Sequence, residues 1–126
     1  MIKLPISFAR TPLQKFSLRV HLSLKEQIFF TRRLSFLIKA GVPLLEALHI
    51  LRAQARPAHL AMYEAILHDV SNGHYLSTSL TKQPGLFSDF AVHLIRVGET
   101  SGILNQNLEF LADELCKKAA LKKKVV

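Results

Sequence analysis

The sequence predicts an all-α protein, a compact antiparallel bundle of six helices preceded by a flexible basic leader. Three observations carry this. Apolar residues recur at three- and four-residue steps through most of residues 23–116. Glycine and proline, five of each, fall largely between those runs. No segment shows the sustained apolar–polar alternation of a strand. With 126 residues, 49% hydrophobic and 21% charged, the chain suits one globular domain with a single core.

Residues 1–22 hold Pro5, Pro12 and scattered cations without a sustained period, and read as the leader. Ser23 and Glu26 form a capping-box pattern that opens the first helix. Phe30, Leu34 and Leu37 share one face of it, Phe29 and Phe36 a neighbouring face, so this helix is expected to sit centrally. Gly41 ends it in the left-handed conformation. Pro43 suits the start of a second helix with a stripe of Leu44, Ala47, Leu48 and Leu51. Pro57 opens a third, with Leu60, Tyr63, Leu67 and Val70, closed by Asn72-Gly73.

A short fourth helix stops at Pro84-Gly85. Ser88 caps the fifth, in which Phe90, Leu94 and Val97 line up. Gly98 is then expected to end the fifth helix and Thr100 or Ser101 to cap the sixth, with Glu99 beside its positive amino end. Leu104, Leu108, Leu111 and Leu115 follow at steps of 4, 3 and 4. Short connections force neighbouring helices antiparallel. The echo of "LIKAG" at 37–41 in "LIRVG" at 94–98 suggests two related three-helix halves, and chance explains five residues equally well.

The net charge of +8 sits at the ends. Lys3, Arg10, Lys15 and Arg19 lie in the leader, and Lys117, Lys118, Lys122, Lys123 and Lys124 in the terminal run "KKAALKKK", and neither segment contains an acid. Residues 23–116 are nearly neutral, with eight Lys and Arg against nine Asp and Glu. A basic nucleic-acid-reading face on the folded body is therefore not expected. Cys116 is the single cysteine, which excludes an internal disulfide and any thiolate zinc cluster.

The loop "LIRVGETSGILNQNL" lacks the lysine and hydroxyl that a phosphate-cradling loop places after its second glycine, and its glutamate repels phosphate. It reads as a turn. The six histidines show no helical i, i+4 pair with a carboxylate, so no zinc site is expected. Glu46 and Glu99 each follow the glycine of an "LI-basic-x-Gly" turn. If the hairpins pack side by side, the two carboxylates could hold a divalent cation such as calcium, and two solvated acids are the competing reading. No other cofactor is expected. A Cys- or His-dependent enzyme is the rival catalytic reading and a basic nucleic-acid module the rival binding one.

Taken in order, "FLIKAGVPLLEAL", "VSNGHYLSTSL", "PGLFSDFAVHLIRVGETSGILNQNLEFLADEL" and "KKAALKKK" resemble the GspF/PilC family of inner-membrane platform proteins of type II secretion and type IV pilus machines. The matching positions are Ala40, Gly41, Pro43, Leu44, Ala47 and Leu48; Gly73, Leu76 and Ser77; and Gly98, Glu99, Ser101, Gly102 and Leu104. The resemblance implies a cytoplasmic six-helix domain followed by membrane helices and a second such domain. It also implies a non-enzymatic scaffold at the cytoplasmic face of the inner membrane, coupling the assembly to its ATPase and to other platform components. Self-association is expected there, as a two-fold dimer first. Residues 23–124 form the domain on this reading. Val125-Val126, after the lysines, start a truncated transmembrane helix, since lysines concentrate at the cytoplasmic end of a span.

Overall fold

The structure, a computed structural model, describes residues 20–125, with side chains through residue 123. The leader cations Lys3, Arg10, Lys15 and Arg19 and the terminal Val126 lie outside the described residues. Among those described there are six α-helices and no strand: α1 (Leu24–Lys39), α2 (Leu44–Ala53), α3 (Leu60–Ser71), α4 (Leu76–Thr81), α5 (Asp89–Ser101) and α6 (Leu104–Val125), with a single 3₁₀ turn at Pro57–His59.

Local chemistry sets most of the boundaries. The Ser23 Oγ accepts the Glu26 amide at 3.2 Å while Glu26 Oε1 accepts the Ser23 amide at 2.9 Å, so the capping box is formed. At the other end Gly41 takes φ 95°, and the amides of Gly41 and Val42 return to the carbonyls of Ile38 and Leu37. That is a Schellman ending, which satisfies carbonyls the helix leaves free. Ser88 caps α5 through the Ala91 amide.

Each helix packs on its neighbour in sequence, and α6 returns to pack along α1, which closes the ring. The α1–α6 pair runs antiparallel, because Arg32 meets Asp113 at 3.0 Å and, further along α1, the Ser35 hydroxyl donates to the earlier Asn105 carbonyl at 2.9 Å. Leu34, Leu48, Ile66, Leu76, Leu86, Ile95 and Leu108 are fully enclosed. Phe30 lies between the rings of Tyr63 and Phe87, at 6.2 and 5.4 Å.

Four expectations are corrected. Leu22, assigned to the leader, is core: it is buried, its amide donates to the Gly85 carbonyl, and Gln27 donates to its own carbonyl. The packed body therefore reaches back beyond Ser23. On α5 the buried positions are Ala91, Ile95 and Gly98, whereas Phe90 is 55% exposed. Gly98 faces inward because α5 lies close against α6 at that point. Phe29 and Phe36 are also outside the core, Phe36 at 69% exposure, and Arg33 stacks over Phe29.

The fourth correction concerns the hairpin. Gly98 does not end α5, which runs through Thr100 and Ser101 to a left-handed Gly102 at φ 75°. Ile103 donates to the Gly98 carbonyl just as Val42 donates to that of Leu37. In backbone terms Gly41 thus corresponds to Gly102, and the sequence echo that pairs Gly41 with Gly98 is four residues out of step.

Candidate functional site

The hairpin between α5 and α6 is built on a close approach. A Cβ added at Gly98 would stand 2.8 Å from the Leu104 Cα and 3.2 Å from the Asn107 Cβ, so only glycine lets the two backbones touch here. One turn earlier, Asn107 Nδ2 donates to the Leu94 carbonyl at 2.8 Å and ties the helices again.

That contact sets the position of Glu99. Its carboxylate does not lie at the start of α6, as the sequence suggested, but reaches the start of α4: Oε2 accepts the Leu76 amide at 2.6 Å and Oε1 accepts the Ser77 amide at 3.0 Å. Tyr75, the residue preceding α4, has no side-chain acceptor for these amides. A neighbouring helix therefore supplies the cap, with a negative charge where the helix end is positive. Arg96 Nε adds a bond of 3.3 Å to the Ser77 hydroxyl. A helix of six residues is weak alone, and α5 holds it in place.

Around this cap the three motif runs converge. Leu44 from the first, Tyr75 from the second, and Gly98, Glu99, Gly102 and Leu104 from the third surround a shallow hollow of about 360 Å³, completed by Ile38 and Asn105. Tyr75 is 50% exposed at its edge. Gly41, Pro43 and Ser101 are exposed on the adjoining turns, and Gly73, at φ 92°, reverses the chain ahead of Tyr75. The surface is apolar with a few fixed polar groups, a composition suited to docking. Tyr75 escaped the sequence reading, although a helix start without Ser, Thr, Asp or Asn signals an acceptor borrowed from elsewhere.

Glu46 stands apart. It is exposed in the first turn of α2, and α2 does not pack on α5. By the helix endings, Glu46 follows its left-handed glycine and Glu99 precedes its own, so the two are not equivalent. Among the described residues no group of three metal-capable side chains occurs. Cys116 is half-buried, with the Arg32 guanidinium 3.6 Å from its sulfur.

Lys117, Lys118, Lys122 and Lys123 are exposed along the end of α6, Lys117 pairing with Glu114 at 3.2 Å. The backbone of Lys124 continues the same helix. No described helix is long and apolar enough to cross a membrane.

The model of the family described as type II secretion system (T2SS), protein F matches residues 30–126. The type 4 fimbrial assembly protein PilC of Pseudomonas putida is 41% identical over 97 residues, covering 76% of this chain and 24% of that protein. The type II secretion system protein F of Xanthomonas campestris pv. campestris is 40% identical over 98 residues, 77% of this chain and 24% of its own length. The type IV pilus assembly protein PilC of Thermus thermophilus is 37% identical over 103 residues, 81% and 25% respectively. The chain thus spans about a quarter of the length of these curated relatives.

Proposed function

The chain belongs to the type II secretion system protein F family, and from that premise we propose that it is a cytoplasmic helical domain of an inner-membrane platform protein. It scaffolds a type II secretion or type IV pilus assembly machine and couples the machine to its cytoplasmic ATPase. The convergence of three separate motif runs on one exposed hollow carries this reading. Passing force between a motor and a membrane assembly needs a rigid body with a defined contact surface. The Gly98–Leu104 approach and the Glu99 cap make the hollow's walls stiff. The hollow's carboxylate is committed to amides, which supports docking over catalysis.

A photo-crosslinking residue at Tyr75 in the full-length protein tests it. We expect a crosslink to the assembly ATPase that disappears when the ATPase gene is deleted. No crosslink at Tyr75, together with undiminished secretion or piliation in Tyr75→Ala, overturns the reading.

Two further proposals have their own tests. A calcium ion held by Glu46 and Glu99 requires Glu99 to leave the Leu76 and Ser77 amides that it now caps, and it requires that millimolar calcium raise the Tm of the wild type and not of Glu46→Gln; an unmoved wild-type Tm ends it. Two-fold self-association requires a concentration-dependent sedimentation coefficient.

A further inference from the structure

The leader is not without period: apolar side chains stand at every even position from Phe16 to Leu24, with polar ones at the odd positions between. The described part of that run obeys the alternation. Val20 packs on the core and Leu22 is buried in it, whereas His21 and Ser23 are exposed, and none of the four is helical. Side chains that change sides at every residue mark an extended chain with one face against the protein. The Leu22 amide donates to the Gly85 carbonyl at 3.3 Å, and a Cβ at Gly85 would stand 3.5 Å from the Val20 carbonyl oxygen and 3.6 Å from His21 Nδ1. The chain therefore enters the domain along the turn that joins α4 to α5.

Beside that turn the two helices enclose a slot of about 240 Å³, with an apolar lining of Leu80, Pro84, Phe87 and Val92. It shares no residue with the hollow at Tyr75. Asp89 opens α5 next to the turn, and Arg96 lies about two helical turns further on, at the far end of the slot. Asp89 is exposed and makes no salt bridge among the described residues. The other groove that reaches the turn, between α3 and α4, differs in this respect, because its carboxylates Glu64 and Asp69 are already paired with Arg52 and Lys82. A basic segment arriving at Gly85 thus finds its unpaired acid on the α5 side.

We propose that the α4–α5 slot receives the chain's own residues 16–19, which lie outside the described residues, with Leu18 and Phe16 entering it in succession and Arg19 meeting Asp89 at the rim. The lengths agree. Extended at about 3.3 Å per residue, the chain covers about 13 Å from Val20 to Phe16, and α5 rises about 10 Å from Asp89 to Arg96. Continuing the alternation puts Leu18 and Phe16 on the face that Val20 and Leu22 bury, and Arg19 on the face of the exposed His21. At the far end, where Arg96 stands, the segment offers the uncharged Phe16. Burial of two large apolar side chains drives the docking. The leader then covers the end of the six-residue α4 much as Glu99 caps its start, and the hollow beside Tyr75 stays open.

Nuclear Overhauser contacts in the full 126-residue chain test this without any substitution. We expect contacts from the Phe16 ring to the methyls of Leu80 and Val92. Phe16→Ser combined with Leu18→Ser should shift amide resonances between residues 80 and 96 and lower the Tm by about 4 °C or more. Val92→Glu places a charge in the slot, and in that background the two leader substitutions should no longer move the Tm, which separates docking from a general loss of stability. Absence of the Phe16 contacts, contacts to Ala61 and Ala65 in the α3–α4 groove instead, or an unmoved Tm in the Phe16–Leu18 variant would each overturn the proposal.

Discussion

The Glu99 carboxylate stands 2.6 Å from the Leu76 amide nitrogen, so the last turn of α5 caps the first turn of a helix 23 residues earlier in the chain. Glu99→Ala leaves two part-buried amides without an acceptor and removes a charge from a helix end. We expect a loss of about 1–3 kcal/mol in urea denaturation, the cost of orphaning such donors. Nearly unchanged stability would mean that water replaces the carboxylate there.

Gly98 and Gly41 make opposite demands on a substituted methyl. At Gly98 a methyl gains about 1 kcal/mol in helix propensity, but its collision is with the Leu104 backbone, which no rotamer change relieves. Overpacking therefore decides the sign, and Gly98→Ala should cost about 1–3 kcal/mol net. A methyl at Gly41 meets nothing within 4 Å, and the φ of 95° alone penalises it, by about 1–2 kcal/mol. Distinguishing them needs hydrogen exchange: Gly98→Ala should loosen the α5–α6 pair, whereas Gly41→Ala should loosen only the end of α1.

The buried face of α5 is checked by two substitutions, at Ile95 and Phe90. Ile95→Ala empties a fully enclosed site and should cost about 2–5 kcal/mol. Phe90→Ala removes a larger side chain that is mostly in solvent, and should change stability by less than about 0.5 kcal/mol. The reverse order in thermal melts would restore the Phe90–Leu94–Val97 stripe as the core face.

That pair shows where the sequence was legible. On α6, Leu108, Leu111 and Leu115 are buried as their spacing predicts, because Glu109, Asp113 and Lys117 mark the other side unambiguously. On α5 two apolar stripes lie side by side, and size alone favours Phe90 over Ala91. The inward choice is made by the tightness of the α5–α6 contact, which periodicity does not encode. The motif turns were legible as turns. Their meeting point was not, because nothing local to Glu99 says that its acceptor oxygens serve Leu76 and Ser77, which belong to a different helix.

The capping box gives a pH dependence. The Ser23 amide bonding to Glu26 is the largest influence on that carboxyl; with the Ser23 hydroxyl and the nearby His59 and Arg56 it outweighs the opposing effect of burial and holds the group below its ordinary value of 4.5. A carboxyl depressed in the folded state stabilises fully above its unfolded pKa and progressively less as pH falls through the folded one. The chain should therefore lose stability from about pH 4.5 downward, and Glu26→Gln should flatten that part of the Tm–pH curve while lowering the plateau at neutral pH. A curve with unchanged acid slope in Glu26→Gln would assign the loss to other carboxyls.

The end of α6 makes the last prediction. Lys118 and Lys122 are one turn apart on the same side of the helix, and Lys117 and Lys123 extend the charge around it, all exposed. The exposed Leu121 is the one large apolar side chain among them, beside Ala119 and Ala120, so the segment is a basic sleeve with no stripe to insert into lipid. Attraction to an anionic surface is then purely electrostatic, at about 1 kcal/mol for each lysine held near it. We expect the chain to sediment with phosphatidylserine-containing vesicles at low salt and to be released as ionic strength rises and the Debye length shortens. Lys118→Gln with Lys122→Gln removes two of these charges and should weaken partitioning about tenfold or more. Comparable binding to neutral phosphatidylcholine vesicles, or binding insensitive to salt, would show that the lysines are not the contact and that the domain meets lipid, if at all, through its exposed phenylalanines.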